Sequence, residues 1–141
     1  MAGIDSGAVF VDTGYVIALL DATDIYHGAA KRWARRMRTR TYVTTTAVLT
    51  ELGDGFASPA AWPVFREFLG RLVESPRVRI LDVPRPLFDR AVALRDARAD
   101  KGWGITDAIS FVTMDDLGLK EALAADRHFV QAGFHALLLE E

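Results

Sequence analysis

The chain predicts an α/β fold: a three-layer α/β/α sandwich around a mostly parallel central sheet. Three observations predict it. Short apolar or β-branched runs alternate with longer amphipathic segments along most of the chain, the pattern of strands joined by helical crossovers. The first run, "AVFVD" at 8–12, is apolar without a break and ends in an acid, as a short buried strand does. The composition, 50% hydrophobic and 26% charged, is that of an ordinary globular protein.

The elements follow in order. After the first strand, "GYVIALLDATD" supplies one or two helical turns. "IYHGAAKRWARRMRTR" sets Ala30, Trp33, Ala34 and Met37 at i, i+3, i+4, i+7, an apolar stripe on a basic helix. "TYVTT" is β-branched and predicts the second strand. Thr45 or Thr46 can cap the helix "AVLTELGDGF". Ser58-Pro59 is expected to open the next helix, because proline is tolerated in a first turn, and Ser75-Pro76 to end it. "RVRILDV" predicts a third strand and residues 84–100 a helix. "KGWG" is a loop, Thr106 can cap "DAISFVTMDDL", and Gly118 stops that helix. "KEALAAD" predicts a weak fourth strand, "RHFVQAG" a short helix that Asp126 could cap, and "HALLLEE" a last strand.

The 141 residues are expected to form a single domain, 1–141, long enough to bury a core. A formal net charge of -2 gives no global basic signal for nucleic acid, though a local basic face is compatible with it. There are no cysteines, which excludes thiolate metal sites and disulfides. With three scattered histidines, a bound metal would take mostly oxygen ligands. The start lacks a basic segment ahead of its apolar run, and no run is long enough to span a bilayer, so a cytoplasmic protein is expected.

Sites on parallel sheets collect beyond the carboxyl ends of the strands. Asp12 follows the first strand and Asp126 the fourth; Asp107 opens the helix leading into the fourth; Glu51 lies on the helix after the second. Each has a sufficient structural role when taken alone. Asp12 and Asp126 can cap, Asp107 complements a helix dipole, and Glu51 can be a solvated surface charge. Together they would repel. At about 4 Å and an effective dielectric of about 20, one like-charge pair costs roughly 4 kcal/mol. Several such pairs rival the total stability of a domain, about 5–15 kcal/mol. Protonation, wider spacing or a hard divalent cation relieves this, and Mg²⁺ or Mn²⁺ suits carboxylate oxygens best.

These residues carry a family resemblance. Asp12 in "VFVDTGYVIALLDATDIYH", Glu51 in "TTTAVLTELGDGF", Asp107 in "GITDAISFVTM" and Asp126 in "ADRHFVQAGF" resemble the acidic signature of PIN-domain ribonucleases. The small size is similar to the VapC-type toxins of toxin–antitoxin pairs. The likeness runs through nearly the whole chain, and its ends are its most specific part. It implies a PIN-like fold and a metal-dependent endoribonuclease acting on single-stranded RNA. Asp12, Glu51, Asp107 and Asp126 would be the catalytic and metal-binding residues, and Mg²⁺ or Mn²⁺ the cofactor. Thr13 would correspond to the hydroxyl residue that follows the first acid and supports the site. The resemblance also implies a cognate antitoxin protein and a homodimer. Ala124 and Ala125 stand where relatives often carry Thr or Ser, so one supporting hydrogen bond to Asp126 is expected to be missing.

Other features read more simply. His128 and Phe129 are expected to pack or cap rather than do chemistry. Lys31, Arg32, Arg35, Arg36, Arg38 and Arg40 form the polar side of an amphipathic helix and are also placed to track phosphates. Asp24 and His27 suit turn and cap roles, and Asp115 and Asp116 exposed ones. Trp103 in "KGWG" is expected to be a buried pin rather than a stacking flap. The apolar face of 64–73 exceeds what one small sheet covers and could bury itself in a homodimer or under an antitoxin. Two rival functions fit an acid after the first strand. A phospho-acceptor module would want adjacent acids there and a lysine after a late strand, whereas this chain offers "VDT" and only Lys31, Lys101 and Lys120. A non-catalytic interaction domain of the same fold would not need all four acids.

Overall fold

The computed structural model describes residues 4–5 and 7–140. Among these described residues five strands form one sheet: β1 (Val9–Val11), β2 (Tyr42–Thr45), β3 (Val78–Leu81), β4 (Glu121–Leu123) and β5 (His135–Ala136). Their order is β3-β2-β1-β4-β5 and every neighbouring pair is parallel. Among the described residues seven helices connect or follow them: α1 (Thr13–Leu20), α2 (His27–Arg36), α3 (Thr46–Gly55), α4 (Trp62–Glu74), α5 (Arg85–Ala97), α6 (Ile105–Leu117) and α7 (Arg127–Gln131). No described helix is long and apolar enough to cross a membrane.

The central strand explains the layering. Successive side chains of β1 point to opposite faces. Phe10 joins Phe111 and Met114 of α6 and Phe129 of α7 on one face. Val9 and Val11 join Tyr15 and Val16 of α1 and Ala29 and Ala30 of α2 on the other. Both faces are thus covered, which is why "VFV" is uniformly apolar. Helix α3 supplies Val48 to the first cluster and Leu52 to the second. Helix α5 packs on α6 through Ala91, Ala108, Ile109 and Val112.

Most expected boundaries hold. Thr45 caps α3, its hydroxyl accepting the Val48 N–H at 3.2 Å. Gly118 ends α6 with φ 69, the left-handed conformation that favours glycine. Ala30 and Met37 of the α2 stripe are buried, with Trp33 and Ala34 half-buried beside them. Trp103 is a pin: it is 3% exposed, donates from Nε1 to Gln131 Oε1 at 3.0 Å, and meets Phe111 edge-on at 5.0 Å.

Three expectations need correction. Ser58-Pro59 does not open α4. Ser58 closes a turn by accepting the Ala61 N–H at 3.1 Å, and the helix starts at Trp62 with Pro63 in its first turn. Thr106 does not cap α6; Gly104 occupies the cap, and Asp107 reaches back to the Gly104 N–H at 3.2 Å. The final strand is only His135–Ala136, followed by a 3-10 turn over Leu137–Leu139. Leu137 and Leu138 are consecutive yet both buried in the α1–α2 cluster. An alternating strand cannot place two neighbours on one face, whereas a turn can. Glu141, the last residue of that expected strand, lies outside the described residues.

Candidate metal centre

The sheet brings the four acids to one place. Phe10 pairs with Ala122 and Val11 with Leu123 in parallel register, and the Asp12 N–H donates to Leu123 O at 3.1 Å. The chain therefore leaves β1 and β4 at the same edge, with Asp12 and Asp126 just beyond it. Asp12, Glu51, Asp107 and Asp126, together with Thr13, line one cleft of about 650 Å³. Asp24, Tyr26 and Arg127 also line it, and Arg127 is the one cationic side chain among the lining residues.

The acids occupy different environments. Asp12 is 6% exposed, and its side chain makes no capping bond to α1, so the simple cap role does not hold. Its pKa is raised from 3.8 to about 7. Burial is the main cause, opposed by the Thr13 backbone N–H and reinforced by the negative charges of Asp107, Glu51 and Asp126. Glu51 is not merely a solvated charge, because the Thr13 hydroxyl donates to its Oε1 at 2.6 Å. The hydroxyl of Thr13 therefore meets the site at Glu51.

Asp107 and Asp126 are tied together. Asp107 Oδ2 receives the Gly104 N–H at 3.2 Å and lies 2.8 Å from His128 Nδ1. Burial still holds Asp107 above the usual carboxylate range, although both bonds pull it down. Asp126 caps α7 as expected: Oδ1 accepts the His128 N–H at 2.9 Å, while Oδ2 lies 3.3 Å from His128 Nδ1. Ala124 and Ala125 offer no side-chain donor, so the hydrogen bond expected to be missing from before Asp126 comes instead from His128 behind it.

His128 is the residue that sequence reasoning undervalued. Potential ligand atoms of Asp107, Asp126 and His128 lie within 4.8 Å of one another. The available signal was the spacing Asp-x-His at a helix start, which folds the ring back beside the capping carboxylate. Phe129, in contrast, packs as expected, fully buried against Phe111 at 5.0 Å.

The donor set suits a hard divalent cation. Five carboxylates line one cleft, Asp24 among them; Asp12 is pushed towards neutrality chiefly by its burial and further by the charges of Asp107, Glu51 and Asp126, and a cation is the partner that relieves this without protonation. Asp115 and Asp116 stay outside the cleft: Asp116 is held by Arg90 in a two-pronged ion pair at 2.8 and 2.9 Å, and Asp115 is exposed. On the basic helix and its tail, Arg40 serves the fold, donating to Gly7 O at 2.7 Å and Glu121 Oε1 at 2.9 Å.

Comparison with known proteins agrees with this architecture. The family model for the PIN domain matches residues 9–135. The chain is 30% identical over 131 residues to the 23S rRNA-specific endonuclease VapC20 of Mycobacterium tuberculosis, covering 89% of this chain and 95% of that protein. The crystal structure of VapC20, described as a sarcin–ricin loop cleaving toxin, superposes with a TM-score of 0.82 at 27% identity, covering 92% and 98% of the two chains. The chain belongs to the PIN-domain family, and within it to the VapC type.

Proposed function

We propose that this protein is a metal-dependent endoribonuclease, the toxin of a type II toxin–antitoxin pair, and that Asp12, Asp107 and Asp126 hold Mg²⁺ or Mn²⁺ while Glu51 orients the attacking water. The observation that supports it best is Asp12, a buried carboxylate at the sheet's carboxyl edge whose pKa is raised in part by three other acids of the same cleft. A divalent ion bound there supplies charge neutralisation at the phosphoryl and leaving oxygens and acidifies a water.

The chain's own residues do the rest. Thr13 fixes Glu51 by its hydroxyl, so one carboxylate oxygen is held while the other is left to direct a water. Arg127 stands at the rim and offsets the repulsion between an acidic cleft and an RNA phosphate. Large-subunit ribosomal RNA is the first substrate to try, because the relative VapC20 is specific for 23S rRNA. Such a substrate would be met in the cytoplasm. Val64 and Val73 on α4, at 43% and 67% exposure, and Phe88 on α5 remain uncovered, as an antitoxin or a second copy would require.

The test is cleavage of defined ribosomal RNA fragments with Mg²⁺, with Mn²⁺ or with EDTA. Cleavage with either ion, lost in EDTA and in Asp12→Asn, is expected. Equal cleavage by wild type and Asp12→Asn would refute the assignment.

A further inference from the structure

We infer that His128 is a positioning residue that clips the two metal-binding carboxylates Asp107 and Asp126 together through Nδ1. This inference rests on the nuclease reading and deepens it. A carboxylate oxygen only accepts, so an Nδ1 lying 2.8 Å from Asp107 Oδ2 and 3.3 Å from Asp126 Oδ2 carries the ring proton; this tautomer is assigned from its partners. An Nδ1 bearing a proton has no lone pair for a metal. The backbone N–H of the same residue holds Asp126 Oδ1 at 2.9 Å. One residue therefore contacts both carboxylates, joining the first turn of α6 to the first turn of α7. Its own position is fixed by the next residue, since Phe129 is wedged between Phe10 and Phe111. The two bonds to Asp107 from His128 and Gly104 both fall on Oδ2, so Oδ1 takes no part in them. Hydrogen bonds that orient metal ligands typically change affinity or activity about 10–100-fold when removed.

The side-chain amide nitrogen of asparagine matches imidazole Nδ1 in reach, whereas that of glutamine matches Nε2. Calorimetric titration with Mn²⁺ should therefore show roughly tenfold weaker binding for His128→Ala, near-native binding for His128→Asn, and no rescue by His128→Gln. RNA KM should stay near the wild-type value in each while kcat follows the metal. Pulsed electron paramagnetic resonance of Mn²⁺ on ¹⁵N-histidine protein should show no directly coordinated nitrogen. Wild-type affinity in His128→Ala, rescue by Gln instead of Asn, or a coordinated-nitrogen coupling would each overturn the role of His128 and leave the nuclease reading standing. Should the alanine variant fail to fold, the Asn and Gln variants decide. A wild-type chain that takes up no Mn²⁺ sinks the nuclease reading, and this inference with it.

Discussion

The two halves of the cleft solve the same electrostatic problem differently. Asp107 and Asp126 are surrounded by donors: Gly104 and His128 for one, His128 twice for the other. Asp12 is the most buried acid of the four, and the charges of its three neighbours add to the cost of that burial. One half is held by hydrogen bonds; the other holds a carboxylate whose charge is costly chiefly because it is buried and further because its neighbours repel it, a cost that a proton or a cation relieves. The contrast teaches how the proposed cation site would combine two kinds of group. The hydrogen-bonded carboxylates would set the position of the ion, and the buried Asp12 would supply the driving force.

Replacing the strained acid should have the largest effect. Asp12→Asn keeps the shape and removes the charge, so RNA cleavage should fall roughly 100-fold or more, read as kcat/KM at saturating Mg²⁺. The same change should stabilise the metal-free protein. Asp12 titrates near 3.8 when unfolded and near 7 in the fold. The folded state thus binds an extra proton between these values, and the stability this confers is lost as pH rises through about 7. Above that, the buried charge costs up to about 4 kcal/mol. Thermal melts in EDTA should therefore show Asp12→Asn gaining much more over wild type at pH 8 than at pH 4. A gain independent of pH would break the contrast between the halves.

The clamped half should respond through stability. Phe129→Ala removes the fully buried ring that anchors α7 and should cost about 3–5 kcal/mol by denaturant unfolding. Unchanged stability would mean that α7 does not hold Asp126 in the way its packing indicates. The smallest effect belongs to Thr13→Val. It removes one hydroxyl from Glu51, costs on the order of 1 kcal/mol of stability and should lower kcat about tenfold. A change in KM alone would place Glu51 in substrate binding.

The parts of this that were legible in the sequence have a common cause. Asp12 and Asp126 could be placed at one edge because each follows an apolar run, and strands in parallel α/β units end together. Asp107 could be placed because a helix start that leads into a strand lies at that edge. Side-chain direction was less legible. The spacing in "DRHF" can bring the His128 ring back beside its own capping carboxylate, but nothing in it says that the ring also reaches Asp107, 21 residues earlier in the chain. Nor does "TDA" say that Asp107 closes on Gly104 and so moves the cap two residues ahead of Thr106. The triplet "LLL" looked like strand because hydrophobicity alone does not distinguish alternating burial from the same-face burial of Leu137 and Leu138. The strain on Asp12 depends on burial, which sequence gives only through the finished fold.

The central claim is that the acids share one cation and that Asp12 must surrender its proton to bind it. The direct measurement is proton release on Mn²⁺ binding, obtained by calorimetry in buffers of different ionisation enthalpy. Near pH 6, about one proton per ion should leave the wild-type protein, and near pH 8.5 almost none, because Asp12 is then already ionised. Asp12→Asn should lose the pH-6 release. Binding without proton release at pH 6, or the same release from the Asn variant, would contradict the account.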